Sequence, residues 1–533
     1  MVRVFEIKLP VDHTHDDLVR ALADALHVPA RDLLSWEIRR QAIDARKKTT
    51  IRLIYTVDAS LRHEEQLVSK ALGHRVIPTP DESYQPATPG SEMLKHPPVV
   101  VGSGPAGLFA GLILAQVGYL PVILERGKAI EERCCDVERF WQDGVLSPES
   151  NAQFGEGGAG AFSDGKLTTL INDLRCRKVL DELAKAGAPR EILVSNKPHI
   201  GTDQLRRVVR TLRESIIRLG GEVRFLNRVT DLRLRDGRLC GLEINGAEVV
   251  ECETAIFAIG HSSRDTFSML LKHGVTMLPK PFSVGMRIEH PQVFIDHAQY
   301  GMFAGHPQLG PADYKLAYHA PNGRSAYTFC MCPGGEVIAA ASEPGGLVTN
   351  GMSLQARSGL NANAALLCNV VPADFPDGHP LAGFSFQREW ETLAFRLGGE
   401  TYAAPVQLLL DFLKGRPSTH LGQVKATYRP AIVPADLRKC LPVYVCDTIK
   451  QAIPAFARRL KCFDLPDAVL TGVETRSSCP VRLVREKDFQ ASISGLYPAG
   501  EGGGYAGGIM SSAVDGLKVA EAIITRFSPP RFL

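Results

Sequence analysis

A glycine-rich turn between a buried strand and a helix constrains the fold of this 533-residue chain more than any other feature. The segment Pro98–Leu108 begins with three valines and continues as Gly-x-Gly-x-x-Gly. In such a turn Gly102 allows the tight bend, Gly104 lets a pyrophosphate approach the backbone, and Gly107 lets the helix pack against the strand. Pro105 suits the first helical position, where its missing N–H costs nothing.

A second apolar strand follows the helix and ends in an acid. Glu125 closes the run Leu120–Leu124, about 20 positions after Gly102, where the acid that binds an adenosine ribose is expected. The helix between the two strands presents free N–H groups and a partial positive charge to a diphosphate. Strand, helix and acid together favour a dinucleotide site over a glycine-rich turn in another kind of α/β unit.

Length and composition set the class of protein. A chain of 533 residues is too long for one core, which predicts two or three domains. Its 44% hydrophobic and 22% charged residues are typical of soluble globular proteins, and a net charge of +3 argues against nucleic acid or an anionic membrane as partner. The sequence has no signal-like start or apolar run of about 18–20 residues, and its cysteines lack regular spacing. We therefore expect a cytoplasmic protein.

Composition shifts divide the chain into segments. Strand-like and helix-like patterns before residue 80 predict a small α+β domain, which is a candidate docking module for a protein partner. A proline-rich stretch then reads as a linker. The predicted organisation is an N-terminal α+β domain (1–80), a linker (81–97), the first part of a nucleotide-binding domain (98–280), an inserted β-rich cap domain (281–465) and the C-terminal part of the nucleotide-binding domain (466–533).

Two further glycine-rich segments bear on the ligand. The loop Gln153–Lys166 is long and extended, so it is either mobile or lies flat against a large planar group, and the dinucleotide site favours a flavin there. At the far end of the chain, Gly495–Ile509 reads as a strand, a glycine loop and the start of a helix that runs to about Arg526. This helix N-terminus forms a second anion-binding wall for the same ligand.

These motifs in this order resemble the two-domain flavoproteins of the glutathione-reductase-like FAD class. Within that class the chain resembles a bacterial family of uncharacterised FAD-dependent dehydrogenases that has relatives in plant plastids. The resemblance covers nearly the whole chain and rests on six segments: Gly102–Gly107, Glu125–Gly127, Asn151–Leu167, Gly260–Asp265, Gly472–Arg482 and Gly500–Ile509. It implies an α/β, Rossmann-like FAD-binding domain and oxidoreductase activity, without a substrate. Cys479 stands where a small hydroxyl residue is expected, which argues against an essential thiol there.

The fingerprint, the acid, the glycine loops and the resemblance together define the predicted FAD-binding residues. They are Gly102, Ser103, Gly104, Pro105, Ala106, Gly107, Glu125, Arg126, Gly157, Gly158, Ala159, Asp164, Lys166, Val229, Ala258, Gly260, Gly500, Glu501, Gly507, Gly508 and Ile509.

Three side chains are candidates for catalysis beside a flavin. Arg476 and Arg482 could hold an acidic substrate or stabilise negative charge on the reduced ring, with structural ion pairing as the alternative. His261 follows a glycine at the end of a strand and could donate to a substrate, although a loop histidine with its own partners is the preferred interpretation.

The cysteines mainly exclude other chemistries. Disulfide reductases of this class carry a Cys-x4-Cys pair after the first strand–helix unit, whereas this chain has only the adjacent Cys134 and Cys135, which cannot form a relaxed bridge. Cys330 and Cys332 share one strand face, and we prefer small core residues over a redox pair there. No His, Cys or carboxylate cluster has metal-site spacing, so no metal is predicted.

Three functions follow from these observations. The leading one is an FAD-dependent oxidoreductase of a small organic molecule, whose flavin is reduced by NAD(P)H bound transiently, since the sequence has one nucleotide fingerprint. A flavoprotein that modifies tRNA is the second, and the near-neutral charge argues against it. A non-catalytic flavin-binding or partner-binding protein is the third.

Overall fold

The computed structural model describes residues 1–62, 64 and 75–530. Its strands are β1 (Val2–Pro10), β2 (Leu33–Asp44), β3 (Arg52–Leu61), β4 (Val76–Pro78), β5 (Glu92–Met93), β6 (Val99–Val101), β7 (Val122–Leu124), β8 (Glu222–Arg224), β9 (Val229–Arg235), β10 (Arg238–Ile244), β11 (Glu248–Glu251), β12 (Ala255–Phe257), β13 (Met277–Pro279), β14 (Phe282–Pro291), β15 (Ala317–His319), β16 (Ser325–Cys332), β17 (Gly335–Ala339), β18 (Thr349–Ser353), β19 (Asn361–Val370), β20 (Ala404–Leu408), β21 (Ile432–Pro434), β22 (Val469–Glu474), β23 (Val481–Leu483), β24 (Leu496–Pro498) and β25 (Phe527–Ser528).

Helices alternate with these strands along most of the chain. They are α1 (His15–Leu26), α2 (Pro105–Gln116), α3 (Ile130–Asp143), α4 (Arg175–Lys185), α5 (Thr202–Arg218), α6 (Arg264–Lys272), α7 (Gln292–Tyr300), α8 (Ala382–Leu397), α9 (Leu409–Lys414), α10 (Val443–Arg459), α11 (Gly500–Gly503) and α12 (Ile509–Arg526). Short 3₁₀ turns lie at Ala30–Asp32, Gly158–Phe162, Arg190–Leu193, Gly301–Phe303, Pro372–Asp374 and Leu437–Lys439. Among the described residues, none of the helices is both long and apolar enough to cross a bilayer.

A five-stranded parallel sheet forms the centre of the part of the chain that carries the glycine fingerprint. Its strand order is β24-β12-β6-β7-β8, so the strand that precedes the glycine fingerprint lies in the middle. Helix α2 packs against α12, and a Cβ atom added at Gly516 of α12 would lie 2.1 Å from the carbonyl oxygen of Ala106. This contact brings the N-termini of two helices that are 400 residues apart to one edge of the sheet.

A seven-stranded sheet, β15-β16-β19-β14-β22-β20-β21, forms most of the inserted segment. Strand β22 lies between β14 and β20 and pairs antiparallel with both, through Met286 with Gly472 and Val406 with Thr471. The sequence analysis assigned the residues of β22 to the C-terminal part of the nucleotide-binding domain, whereas β22 is a central strand of the inserted sheet. Pairing between strands so distant in the chain leaves no local signal, because it depends on tertiary contacts.

The N-terminal residues fold into a sheet of order β2-β3-β1-β4 with α1 packed on it. The proline-rich stretch after it, predicted as a linker, is anchored to its neighbours at several points. Arg3 binds both Asp58 at 2.7 Å and Glu82 at 2.6 Å, and the hydroxyl of Tyr84 donates to Glu521 at 2.9 Å. Strand β5 pairs with β25. The proposed docking role of residues 1–80 stays a prediction.

Candidate functional site

A cavity of about 1120 Å³ lies where the carboxyl ends of the parallel strands meet the inserted sheet. It exceeds the roughly 300–1,000 Å³ of most small-molecule pockets. Ligands of open α/β sheets bind at this end of the strands, because the helix N-termini and connecting loops converge there.

The structure brings most of the predicted FAD-binding residues to this cavity. Those that line it are Gly102, Gly104, Pro105, Ala106, Glu125, Arg126, Gly158, Ala159, Asp164, Lys166, Val229, Ala258, Gly260, Glu501, Gly507, Gly508 and Ile509. Four others lie behind its wall, namely Ser103, Gly107, Gly157 and Gly500. The catalytic candidates Arg476, Arg482 and His261 also line it.

Two glycines of the fingerprint are required by the protein itself. A Cβ atom at Gly107 would lie 1.9 Å from the carbonyl oxygen of Gly102, and one at Gly102 would lie 2.5 Å from that of Ala258. Gly102 also has a φ of +100°, which side-chain-bearing residues rarely adopt. Packing and backbone conformation therefore explain these two positions without a ligand.

Three other glycines at the cavity surface, Gly104, Gly507 and Gly508, have no such explanation. A Cβ atom at Gly104 or Gly508 would have no protein atom nearer than 3.8 Å, and one at Gly507 none within 4 Å. Gly104 has a φ of −72° and Gly508 is extended, so neither position needs glycine for its conformation. The space that their missing side chains leave open belongs to the cavity, as expected where a ligand contacts the backbone.

Two of these glycines are also the N-caps of the two helices that begin at the cavity. Gly104 precedes α2 and Gly508 precedes α12, and neither helix has a side-chain cap or an acid in its first turn. The first N–H groups of a helix have no partner within the helix and carry a partial positive charge. Two uncapped N-termini at one cavity suit an anionic ligand such as a diphosphate.

Glu125 is buried and accepts four hydrogen bonds from three turns. One carboxylate oxygen accepts from the backbone N–H of Ser103 at 2.9 Å and from its hydroxyl at 2.8 Å. The other accepts from the N–H groups of Gly127 at 2.9 Å and Gly155 at 3.1 Å. These donors use the roughly four lone-pair positions of a carboxylate. Glu125 therefore holds the fingerprint turn and the glycine loop together, whatever it also binds.

We expect Glu125→Ala to weaken FAD binding by about 1.5–3 kcal/mol and also to lower the stability of the flavin-free protein, since its backbone donors lose their acceptor. Fluorescence titration measures the first effect and thermal unfolding of the apoprotein the second. Ser103→Ala is the matched control, because it removes one side-chain donor and keeps the carboxylate. An unchanged dissociation constant in Glu125→Ala would contradict the assignment. Lost affinity with unchanged apoprotein stability would assign Glu125 to the ligand alone.

The glycine loop is held by an arginine that the sequence analysis missed. Arg133 of α3 is fully buried, and its guanidinium donates to the carbonyl oxygens of Asn151, Gly155, Glu156 and Gly158 at 2.6–3.1 Å. A Cβ atom at Gly155 would lie 2.4 Å from the Arg133 side chain. The loop is therefore ordered by its own helix. The available signal was an arginine on the apolar face of α3, in helical spacing with Ile130 and Val137.

Asp164 and Lys166 tie the end of this loop to the inserted sheet. Asp164 accepts from the guanidinium of Arg357 and from the hydroxyl of Ser353, and the ammonium of Lys166 lies 3.2 Å from it. Burial opposes ionisation, yet the cations of Lys166 and Arg357 hold the pKa of Asp164 below its usual range. Lys166 also donates to the carbonyl oxygen of Met331. Both residues thus have protein partners at the edge of the cavity.

A buried ion pair holds Arg476. Its guanidinium makes two bonds of 3.0 Å to Glu391 and one of 3.0 Å to the hydroxyl of Ser262. Glu391 also binds Arg264, at 2.8 and 3.0 Å. Despite the burial of Glu391, these two arginines hold its pKa below its usual range. Arg476 therefore has a structural partner, as the alternative interpretation of the sequence proposed.

The other two catalytic candidates, His261 and Arg482, differ in burial and charge. Burial, with the nearby charge of Arg476, lowers the pKa of His261 to about 3, so this ring is neutral at pH 7 and pairs with the Ser262 hydroxyl at 2.8 Å. Arg482 is exposed, with its guanidinium 5.2 Å from the ring centre of Tyr505. Arg482 is thus the better placed of the two to bind an anion.

Two carboxyl groups in the cavity wall and one nearby thiol have strongly shifted pKa values. Burial raises the pKa of Glu501 to about 7, with Lys280 opposing the shift, and raises that of Glu474 to about 7, with Arg287 opposing it. Glu474 was missed because its burial depends on strands far away in sequence. Cys479 is fully buried, and burial raises its pKa to about 12. This value agrees with a structural thiol.

Comparisons with known proteins bear on this site. A protein of Clostridium beijerinckii, described as uncharacterized, is 48% identical over 532 residues, which cover 99% of this chain and 100% of the relative. This chain belongs to the same family. Residues 281–477 match the model of the family described as "FAD-dependent protein, C-terminal domain-like", and residues 1–60 match that of a domain of unknown function (DUF8436). The former match supports a flavoprotein.

Solved structures offer more distant similarity. A triple mutant of a flavin-dependent brominase is 12% identical, with 80% of each chain covered and a TM-score of 0.36. Glycine oxidase from Bacillus cereus is 11% identical, with 82% of this chain and 99% of the oxidase covered and a TM-score of 0.32. At these values neither the fold nor the activity of this chain follows from the similarity.

Proposed function

We propose that the protein is an FAD-dependent oxidoreductase of the glutathione-reductase-like class, with FAD in the main cavity. The observation that carries the proposal is the set of three glycines, Gly104, Gly507 and Gly508, which neither packing nor conformation requires. They lie at two uncapped helix N-termini, and the cavity of about 1120 Å³ that both helices reach is large enough for a dinucleotide.

The chain's own residues account for binding. The first N–H groups of α2 would hold the diphosphate, Glu125 would orient the turns at the adenosine end, and the loop held by Arg133 would exclude water from one side. FAD, when bound, supplies two-electron redox chemistry. The protein contributes position and electrostatics, and the N-terminus of α12 favours extra negative charge at its end of the cavity.

The substrate is proposed to be a small organic molecule that enters beside Arg482 and His261. Arg482 would bind an acidic group of the substrate, and the neutral ring of His261 would form a hydrogen bond without adding charge. NADH or NADPH is the proposed electron donor, bound transiently over the flavin. We place the reaction in the cytoplasm.

Purification and rapid mixing test this proposal. The protein should purify yellow, and chromatography of the released flavin should identify FAD. Anaerobic stopped-flow with NADH and with NADPH, each alone, should show bleaching of the flavin absorbance by one of them. Absence of flavin after reconstitution would contradict the whole proposal. Bound FAD that neither nucleotide reduces would contradict the nicotinamide donor only.

A further inference from the structure

Two cysteines on β16 lie side by side at the cavity. The strand is irregular here, because Phe329 pairs with Ala365 but Cys332 pairs with Asn363, so Cys330 and Met331 together face one residue of β19. Cys330 has a φ of +41°, which is uncommon for a residue with a side chain. In this bulge the thiol of Cys332 donates to the backbone carbonyl oxygen of Cys330 at 3.2 Å. This bond places the sulfur of Cys332 against the backbone of Cys330.

The two thiols differ in access. Cys330 is half-buried and lines the cavity, whereas Cys332 is fully buried behind it. This differs from the expectation that both are core residues. An accessible sulfur beside a buried one is the arrangement that dithiol chemistry uses, because the first meets the reaction partner and the second closes the disulfide.

Two cations from distant parts of the chain lie on the backbone of this pair. The guanidinium of Arg287 donates to the carbonyl oxygen of Cys330 at 2.9 Å, and the ammonium of Lys166 donates to that of Met331. The pKa of Cys330 is held well below its usual range, first by its interaction with Cys332 and then by the charges of Lys166 and Arg287. Burial alone would raise this pKa. The pKa of Cys332 is raised well above its usual range.

Other buried thiols of the described chain lack this setting. Burial raises the pKa of Cys446 and of Cys479 to about 12, and both are inert at neutral pH. Reactive cysteines are found in electropositive, partly exposed surroundings, which is the setting of Cys330. A small core residue would need neither the strained backbone nor the two cations.

We propose that Cys330 and Cys332 form a redox-active dithiol/disulfide pair that exchanges an electron pair with FAD in the main cavity. In the reducing direction, the Cys330–Cys332 bond would accept two electrons from FAD bound in its reduced form. The S–S bond would break and two S–H bonds would form, with one proton supplied by the reduced flavin and one by solvent, and the flavin would be left oxidised. A small thiol or disulfide would exchange with the pair at Cys330, the half-buried residue that lines the cavity. The flavin step rests on the proposed FAD site, whereas the thiol chemistry does not.

Alkylation in redox buffers tests the pair without an activity assay. The purified protein is equilibrated with mixtures of reduced and oxidised glutathione, quenched in acid, denatured, alkylated with N-ethylmaleimide and mapped by mass spectrometry. Cys330 and Cys332 should lose their labels together and appear in one peptide lighter by two hydrogens. Cys368 and Cys479, both buried elsewhere, should stay labelled. Full labelling of Cys330 and Cys332 in every mixture, or separate glutathione adducts without a bond between them, would overturn the proposal.

A reductive titration tests the link to the flavin. Oxidised wild-type protein should take up two electrons for FAD and two more for the disulfide. Cys330→Ser and Cys332→Ser should take up the flavin's two alone, and Cys135→Ser, an exposed control, should match the wild type. Equal uptake by all four proteins would refute the pair while FAD binding stands, and a protein without FAD would refute the proposed function instead. If the serine variants do not fold, the alkylation experiment on the wild-type protein tests the pair by itself.

Discussion

Gly104→Val should yield a folded protein without FAD. An added Cβ atom would lie 3.8 Å from the nearest protein atom, which is an ordinary van der Waals contact, so the fold should tolerate the substitution. Its methyl groups would enter the space where the diphosphate approaches the backbone. We expect FAD affinity to fall at least about a hundredfold, or about 2.7 kcal/mol. The ratio of flavin to protein absorbance measures FAD content, and circular dichroism measures whether the variant is folded.

Two controls separate ligand exclusion from misfolding. Gly107→Val changes a glycine of the same fingerprint, but its Cβ would lie 1.9 Å from the oxygen of Gly102, so it should prevent stable folding. Gly378→Val lies on an exposed loop with no atom near its Cβ and should retain FAD. Gly104→Val should also lose the stabilisation that FAD gives, about 2.7 kcal/mol at a hundred times the dissociation constant. Full FAD content in Gly104→Val would show that the site lies elsewhere.

Gly508→Asp should either expel FAD or lower its two-electron potential by tens of millivolts. Gly508 is the N-cap of α12, where the helix carries about half a positive charge. A carboxylate there offsets that charge and disfavours the additional negative charge of the reduced flavin. A shift of 30 mV corresponds to about 1.4 kcal/mol. A dye-coupled reduction titration measures the potential.

Gly508→Asn is the matched control, because it has nearly the same size and no charge. Loss of FAD in both variants would assign the effect to steric exclusion, and a lowered potential in the aspartate variant alone would assign it to charge. The extended backbone at Gly508 accepts either residue without strain. If both variants keep full FAD and the wild-type potential, the glycine turn lies away from the flavin ring.

Local signals in the sequence were enough for the centre of the fold. The strand before Gly102, the helix from Pro105 and the second strand before Glu125 are where the sequence analysis expected them. The C-terminal helix begins at Ile509 and ends at Arg526, also as expected. The residues Gly500–Gly503, expected as loop, form one helical turn instead. A short glycine-rich turn of this kind has no propensity signal, because glycine disfavours helices on its own.

The sequence analysis did not predict which groups the buried charged side chains bind. Arg133 binds a loop only 18 to 25 residues away in the sequence. This pairing was missed because an arginine on an amphipathic helix usually faces water. Glu391 binds Arg264 and Arg476, which lie 127 and 85 residues from it. Such pairs form only when the fold removes both groups from water. The sequence could therefore place Arg476 near the site but not decide between substrate and ion pair.

The sequence by itself determined the nucleotide fingerprint and the place of its acid, because tight turns, helix starts and buried strands depend on neighbouring residues. Only the tertiary structure decided which glycines a ligand would need, since that requires knowing what lies beyond each missing side chain. It also decided the surroundings of Cys330 and Cys332. Strand alternation alone made them two small core residues. The fold brings Arg287 and Lys166 from separate segments onto the carbonyl oxygens of Cys330 and Met331.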